Sequence, residues 1–442
     1  MKPPRFRDAV RDVRAVLVAA LLVLAAVLVG RHIEGTAHTL HVGWPPLYAE
    51  WGPHRGPGTP AALLVAALVV AHGPPLAARL RWRRLLLAAW AASLMWIWSL
   101  ALVDRWRRGV AQRLTTRYEY LRVIDRFDDI PATLRDFTHH ILLGAPDHWP
   151  PHVAGHPPAA TLTFVLLDRI GLAGGGWAGA FVITAASTAC AAVLIAVRAL
   201  VDEETARRAA PFLVLAPGAV WMGVSADGYF TAVAAWALAL LALAVTGRPG
   251  WGCGAGLLLG LTVYLSYGLT LVALLAGAVL LLGRARLRPL LLVLPGLAVV
   301  PLLFTLLGFQ WWEGYRMLTE RYYQGAGGIR PYGYWVWADL ACTALITGPA
   351  TAAGLRRTTS PLVRVRGGRT PDVRLAVLVA AAGLCVLAAD VSGMSKAETE
   401  RIWLPLALWL LPACARLPRP RLWLTGQALL ALTVNHLLWT GW

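Results

Sequence analysis

Apolar runs recur along almost the whole chain, each closed by a short break that is charged or rich in glycine and proline. A helix needs about 20 apolar residues to cross a bilayer core, and fewer where it is short or half-inserted. On that rule Ala15 to Gly30 is a first span, residues 60–76 a second and Leu85 to Val103 a third. A long polar stretch follows. Ala159 to Leu172 is apolar but short, is broken by Asp168 and Arg169 and ends in glycines, which predicts an interfacial or half-inserted helix. Trp177 to Val201 is a full span, and Pro211 to Val245 has apolar length for two short ones hinged at SADGYF, residues 225–230, after Pro217 and Gly218. Further spans fall near 252–266, 268–283, 289–307, 334–354, 374–390, 402–415 and 421–440. The pattern predicts an all-α, polytopic transmembrane helical bundle of about 13 spans. Residues 1–442 form a single transmembrane domain, with an outer loop carrying interfacial helices at 104–172 and a second outer loop at 309–333.

Composition agrees and adds orientation. The 442 residues are 58% hydrophobic and 14% charged, too little polar surface for a soluble globule of this size. The net charge of +18 does not point to nucleic acid, because the basic residues sit in short clusters between apolar runs, where topology determinants lie. Arg5, Arg7, Arg11 and Arg14, the cluster Arg79 to Arg84, DEETARR, RARLR, Arg356 to Arg369 and RLPRPR then mark the cytoplasmic side. That predicts a multi-pass cell-membrane protein with a cytoplasmic N-terminus, and it puts most of the 23 acidic residues on the outer, extracytoplasmic face. Residues 31–40 after the first run lack a small-residue cleavage pattern, so that run reads as an anchor. The five cysteines lie in or beside apolar stretches without CxxC spacing, as small membrane-core residues do.

The chemistry concentrates in Tyr118 to Pro158, YEYLRVIDRFDDIPATLRDFTHHILLGAPDHWPPHVAGHPP, which gathers Glu119, Asp125, Asp128, Asp129, Asp136 and Asp147 with five histidines. Other outer segments add Asp227 and Tyr229 in SADGYF, Arg330 and Tyr332 in RPYGYW, and Lys396, Glu400 and Arg401 in SKAETER. Arg105, Arg107 and Arg108 stand outside against the charge trend, where a lipid phosphate would lie or where arginines snorkel from a span end. Lys396, Glu398, Glu400 and Arg401 have the spacing to pair among themselves on a helix end. His148, His152 and His156 recur every four residues, but Pro150, Pro151, Pro157 and Pro158 oppose the regular helix a metal face would need.

An acidic pair in a large outer loop, a proline-rich segment ending in His156-Pro157-Pro158, a short amphiphilic helix and then a long span are together similar to the GT-C class of integral-membrane glycosyltransferases. The stretches HVAGHPP, ARRAAPFLVLAPGAVWMGVSADGYF, RPYGYWVWADL and SKAETERIWLP look like those of an actinobacterial group of such multispan proteins. The resemblance implies sugar transfer from a polyprenyl-phosphate donor to a hydroxyl of a cell-envelope glycan or glycolipid acceptor, in contact with membrane lipid. It matches Asp128 and Asp129 to the acidic pair, although many relatives have Asp-Glu there.

Such a transfer needs a base for the acceptor hydroxyl and donors for the departing phosphate. Asp128 or Asp129 is the expected catalytic carboxylate, with Asp125 and Glu119 as rivals. Glu119, His156, Asp227, Tyr229, Arg330, Tyr332, Lys396, Glu400 and Arg401 are the expected substrate-binding residues. The sequence assigns no certain cofactor; a divalent cation, Mg2+ or Mn2+, would help a phosphate leave, and acids to hold it are at hand. The alternative is a multispan transporter or lipid flippase, but transporters place ionisable groups and broken helices at the bilayer midplane and show internal repeats. Here the ionisable residues gather at the outer boundary.

Overall fold

The computed structural model describes residues 6–284, 287–364 and 370–442. Arg5, Arg286, Arg366 and Arg369, which carry part of the expected orientation, lie outside the described residues. The chain begins with α1 (Phe6–Thr36), α2 (Gly58–Arg79) and α3 (Trp82–Ala101). The polar stretch holds short turns, the seven-residue α4 (Ile130–Asp136) and then α5 (Ala159–Arg169). Next come α6 (Gly175–Ser187), which runs on into α7 (Ala189–Leu200), α8 (Glu203–Val214), α9 (Ala226–Val245), α10 (Trp251–Leu265), α11 (Val272–Leu282) and α12 (Leu287–Leu306). The last third contains α13 (Trp311–Gln324), α14 (Tyr332–Arg364), α15 (Pro371–Val391), α16 (Leu404–Arg416) and α17 (Pro420–Leu437).

Seven helices among the described residues are long and apolar enough to cross a membrane: α1, α2, α3, α6 with α7 as one, α9, α12 and α15. Three shorter apolar helices cover 251–265, 267–282 and 404–416. The protein is thus a helical membrane protein, with fewer full-length crossings than the expected count. The two spans expected between Pro211 and Val245 are one. Pro211 lies inside α8, which starts at Glu203 and Glu204, and SADGYF is the capped start of α9.

Burial orders the bundle. Only 11% of the apolar window of α1 is buried, against 78% of that of α9. Leu17, Val18, Leu21 and Leu28 of α1 are exposed, as lipid-facing positions are, whereas α9 is rich in alanine and lets its neighbours close in from all sides. α10 packs on α12 through Gly252, Gly256 and Gly260, and a Cβ on Gly256 would sit 2.0 Å from the Val293 carbonyl oxygen. Close backbone approach of this kind is how helices associate when apolar burial gives no drive within lipid. α1 is fixed to α14 by the buried Asp12, which pairs with Arg356 at 2.6 Å and Arg357 at 2.5 Å.

α14 breaks at Gly348, whose φ of 80° suits glycine alone. The freed backbone groups are served by Gln427 of α17: its Oε1 accepts from Ala350 N at 3.2 Å and its Nε2 donates to Thr347 O at 2.8 Å. A break in a membrane helix persists where such a side chain satisfies it.

The fold is all-α as expected apart from a small antiparallel ribbon. β1 (Ala49–Trp51) pairs with β2 (Leu438–Thr440) in the register Ala49 to Thr440, Glu50 to Trp439 and Trp51 to Leu438. α17 ends at Leu437 and the chain becomes extended, so the span expected to run on to residue 440 stops short.

α3 ends just before the polar stretch 104–157, α12 just before the loop 309–333 and α15 where 391–401 begins, so the three polar segments should face one side. Single cysteines at His148, Glu320 and Ser392, which are exposed, are introduced with the exposed Cys253 replaced by alanine. All should react with an impermeant thiol reagent from the same side of intact cells. Reaction of one only after lysis would break the single-face arrangement.

Candidate functional site

Between α15 and α16 the chain adopts two consecutive left-handed residues, Ala397 (φ 72°) and Glu398 (φ 63°), neither of them glycine. Non-glycine residues reach that region at a cost of roughly 1–3 kcal/mol each and stay there only when their surroundings hold them. What holds them is a knot of charges centred on Arg401.

Arg401 is 5% exposed. Its Nη1 donates to Asp227 Oδ2 at 2.5 Å and its Nη2 to Glu398 Oε2 at 2.5 Å. Nη2 also lies 3.1 Å from His152 Nε2, while His152 Nδ1 lies 2.9 Å from Glu119 Oε1. A guanidinium only donates and a carboxylate only accepts, so His152 carries its proton on Nδ1 and presents a bare Nε2 to Arg401. The Trp442 ring covers the guanidinium, with 3.9 Å from Cζ to the ring centroid. Asp227 comes from the first turn of α9, where Ser225 caps the helix and donates to Asp227 Oδ2 at 3.0 Å.

Around this knot stand three further groups. Glu400 is fully buried; its Oε1 accepts from Tyr48 N at 2.9 Å and its Oε2 has no hydrogen-bond partner in the protein. Burial, helped by the neighbouring Glu398, pushes its carboxyl up to about 7, outweighing the opposing pull of the Glu400 and Tyr48 backbone N–H groups and of Arg401. For Glu398 burial acts in the same direction, but the Arg401 and Arg330 guanidiniums outweigh it and hold the carboxyl below its usual range. His156 has Nδ1 2.7 Å from the His152 carbonyl and 3.1 Å from the Tyr120 hydroxyl, and its ring packs on Phe230. The carbonyl can only accept, so the proton is on Nδ1, and desolvation lowers the imidazolium to about 4.

A second knot adjoins the first. Asp104, where α3 gives way to the polar stretch, pairs with Arg113 at 2.5 Å and with His54 at 2.7 Å, and Arg108 lies 3.7 Å away. Arg113 also donates to Thr440 O at 2.9 Å, and His54 stacks on Trp439 at 3.6 Å. A cavity of about 10 Å³, lined by Asp104, Arg113 and Trp442 among others, lies at this knot and shares Trp442 with the Arg401 knot. It has room for about one water.

The structure therefore gathers Glu119, His156, Asp227, Glu400 and Arg401 from the sequence-predicted residues. Tyr229 lies near them, its hydroxyl 3.5 Å from Thr163 Oγ1 and its ring against Phe230. Arg330 reaches the edge of the knot, 3.9 Å from Glu398, but is spent on the carbonyls of Leu40 at 2.9 Å and Lys396 at 2.7 Å. Lys396 turns its Nζ to the Gly327 carbonyl at 2.9 Å. Tyr332 is exposed, and its hydroxyl donates to Val391 O at 3.2 Å. Asp128 and Asp129 are not brought in. Both are exposed: Asp129 caps α4 by accepting from Ala132 N at 2.9 Å, and the Asp128 carbonyl accepts from Arg169 at 2.9 Å. Asp129-Ile130-Pro131 is a local signal for such a cap. Arg105 is left-handed at φ 64°, and Arg108 stacks on Trp439 at 3.9 Å.

Sequence reasoning missed Glu398, His152 and Asp104 as members of the site, and Tyr48 and Trp442 altogether. The spacing in SKAETER hinted at Glu398 with Arg401; no local signal marks Trp442. Among the described residues no group of three or more His, Cys, Asp or Glu side chains is arranged to hold a metal. Nor do the clustered carboxylates fit a divalent cation, because Asp227 and Glu398 already face two guanidiniums, Arg401 between them and Arg330 at 3.9 Å from Glu398.

Since the folded value of His156 lies below its unfolded 6.5, the unfolded chain takes up that proton first as pH falls. The folded state therefore loses stability between about pH 6.5 and 4, with a limiting slope of about 1.4 kcal/mol per pH unit. Glu400 acts in the opposite sense, gaining stability as pH falls from about 7 towards its unfolded 4.5. Melting of His156→Asn and parent in detergent separates the two, because the variant should lose less stability on acidification. Parallel curves would show that His156 does not resist protonation.

No family model and no curated protein matches the sequence. Among solved structures the chain is similar to two of an oligosaccharyltransferase from Archaeoglobus fulgidus. One is a complex with zinc and sulfate (14% identity, TM-score 0.39, covering 78% of this chain and 53% of that one). The other is tethered through a disulfide to an acceptor peptide containing an NVT sequon (12% identity, TM-score 0.40, covering 75% and 49%). The chain spans about half the length of the proteins it matches.

Proposed function

We propose that the protein is a membrane glycosyltransferase of GT-C type that moves a sugar from a polyprenyl-phosphate donor to an acceptor hydroxyl of an envelope glycan or glycolipid, on the extracytoplasmic face. The observation that carries this reading is the buried Glu400 carboxyl, one oxygen unpartnered, beside a guanidinium at the ends of the long apolar helices. A base poised near neutral pH is what removal of a proton from a sugar hydroxyl requires. The unpartnered Arg401 Nε, and the Lys396 ammonium with one of its three donors engaged by a carbonyl, are cations suited to a phosphate.

The acceptor oxygen attacks the anomeric carbon, its proton passes to Glu400, and the bond from that carbon to the phosphate oxygen breaks. The lipid phosphate leaves with the electron pair, and Arg401 meets its charge. A phosphate is a weak base, so no acid is required on the leaving side. We place the base in this cluster and not at Asp128 or Asp129, because an exposed cap carboxylate is bathed in bulk water and shares no enclosure with the cations. His152 and Glu119 position Arg401.

Glu400→Gln keeps the size of the side chain and the acceptor for Tyr48 N. It should fold and bind donor while cutting turnover by ~10²-fold or more, the usual scale for a lost general base. The parental rate should rise with pH through about 7, as Glu400 loses its proton, and that limb should vanish in the variant. Transfer by Glu400→Gln at the parental rate with the limb intact would remove Glu400 from the role and leave Asp227 as the next carboxylate to test.

A further inference from the structure

At the end of α2 and α3 away from the Arg401 knot, a cavity of about 810 Å³ opens between α2, α8 and the turn that joins α16 to α17. Its walls are apolar, with Pro74 and Ala78 from α2 and Pro211 and Phe212 from α8. Its rim is basic. Arg207 is committed to Glu203 at 2.6 Å and to the carbonyls of Ala77 and Leu80. Arg208 is held more loosely, 3.8 Å from the exposed Glu204 and 3.3 Å from the Leu417 carbonyl. Arg419 is exposed and has no side-chain partner among the described residues. Counting the neighbouring Arg198 and Arg416, the arginines here share Asp202, Glu203, Glu204 and Asp372, five cations against four anions, so the rim keeps a positive excess.

We propose that this cavity binds an anionic membrane lipid, with its phosphate between Arg208 and Arg419 and an acyl chain along Pro74, Ala78, Pro211 and Phe212. Three features select that occupant. The volume suits a lipid portion and far exceeds a free anion. The positive rim complements a phosphate, and a zwitterionic headgroup would bring its own cation against Arg208 and Arg419. The cavity also lies where α2 ends, the level at which a headgroup meets the end of a span, and basic pockets between spans favour anionic headgroups there. The site is separate from the Arg401 knot and does not depend on the activity assigned to it.

The test is binding to the purified full-length protein in neutral detergent, with short-chain phosphatidylglycerol, short-chain phosphatidylcholine and inorganic phosphate as separate probes. Phosphatidylglycerol should bind with saturation, and at least about tenfold more tightly than phosphatidylcholine, the scale of one or two charge-assisted contacts. Arg419→Gln, at an exposed position that leaves the packing alone, should weaken phosphatidylglycerol binding severalfold, and Arg208→Gln with Arg419→Gln should abolish the preference over phosphatidylcholine. Ala78→Trp, which fills the wall and leaves every charge, should block both lipids. Equal binding of the two lipids, unchanged binding by the Arg419 or Ala78 variant, or inorganic phosphate competing at the same concentration as phosphatidylglycerol would each overturn the proposal. A double variant that fails to fold leaves the Arg419 and Ala78 results to decide it.

Discussion

A guanidinium taken out of water must be paired, and one end of this bundle is arranged around that requirement. Arg401 has carboxylates on two sides, an imidazole nitrogen on a third and an indole over its face. Those partners come from the first polar stretch, the start of α9, the strained turn after α15 and the residues just beyond β2. Removing one member of a buried ion pair strands the other at a cost of about 3–5 kcal/mol, whereas the intact pair adds little net stability. Arg401 is therefore better understood as a device for placing groups than as a source of stability. It holds Ala397 and Glu398 in left-handed conformations, which in turn sets Lys396 on one side and Glu400 on the other.

The apolar helices explain why this device sits at one end of the bundle. Charges are costly at the depth of the hydrocarbon, and the long crossing helices carry theirs at their ends. Asp12 with Arg356 and Arg357 closes the other end of α1 against α14. Asp104 with His54 and Arg113 closes the near end of α3 against the ribbon. Between those ends α9 brings Asp227 to the site on a helix of mainly small residues, packed tightly enough to keep the carboxylate in place.

The helices were legible because an apolar run of sufficient length has few alternatives in a membrane, and their limits agree closely with the polar breaks. What misled was length without attention to polarity: Pro211 to Val214 is apolar, yet it belongs to a helix that opens with two glutamates. The site was legible in part. Asp227, Glu400, Arg401 and His156 stood out as ionisable residues in short polar islands, and they converge. Asp128 and Asp129 stood out for the same reason, but both are exposed, and Asp129 ahead of Ile-Pro caps a local helix, which needs no partner from elsewhere. Trp442 and Tyr48 were invisible because their roles arise from pairing residues 49–51 with residues 438–440, a contact across most of the chain that no local pattern encodes.

If the knot serves bond cleavage at a lipid phosphate, the sugar and the lipid of a donor must part there. The most direct measurement follows a polyprenyl-phosphate sugar, labelled in both the lipid and the sugar, with purified protein in liposomes and a hydroxyl acceptor present. The two labels should part, with the sugar appearing on the acceptor and the lipid recovered as its phosphate. Recovery of the donor intact on the opposite leaflet, with both labels still joined, would contradict it and identify a lipid carrier instead.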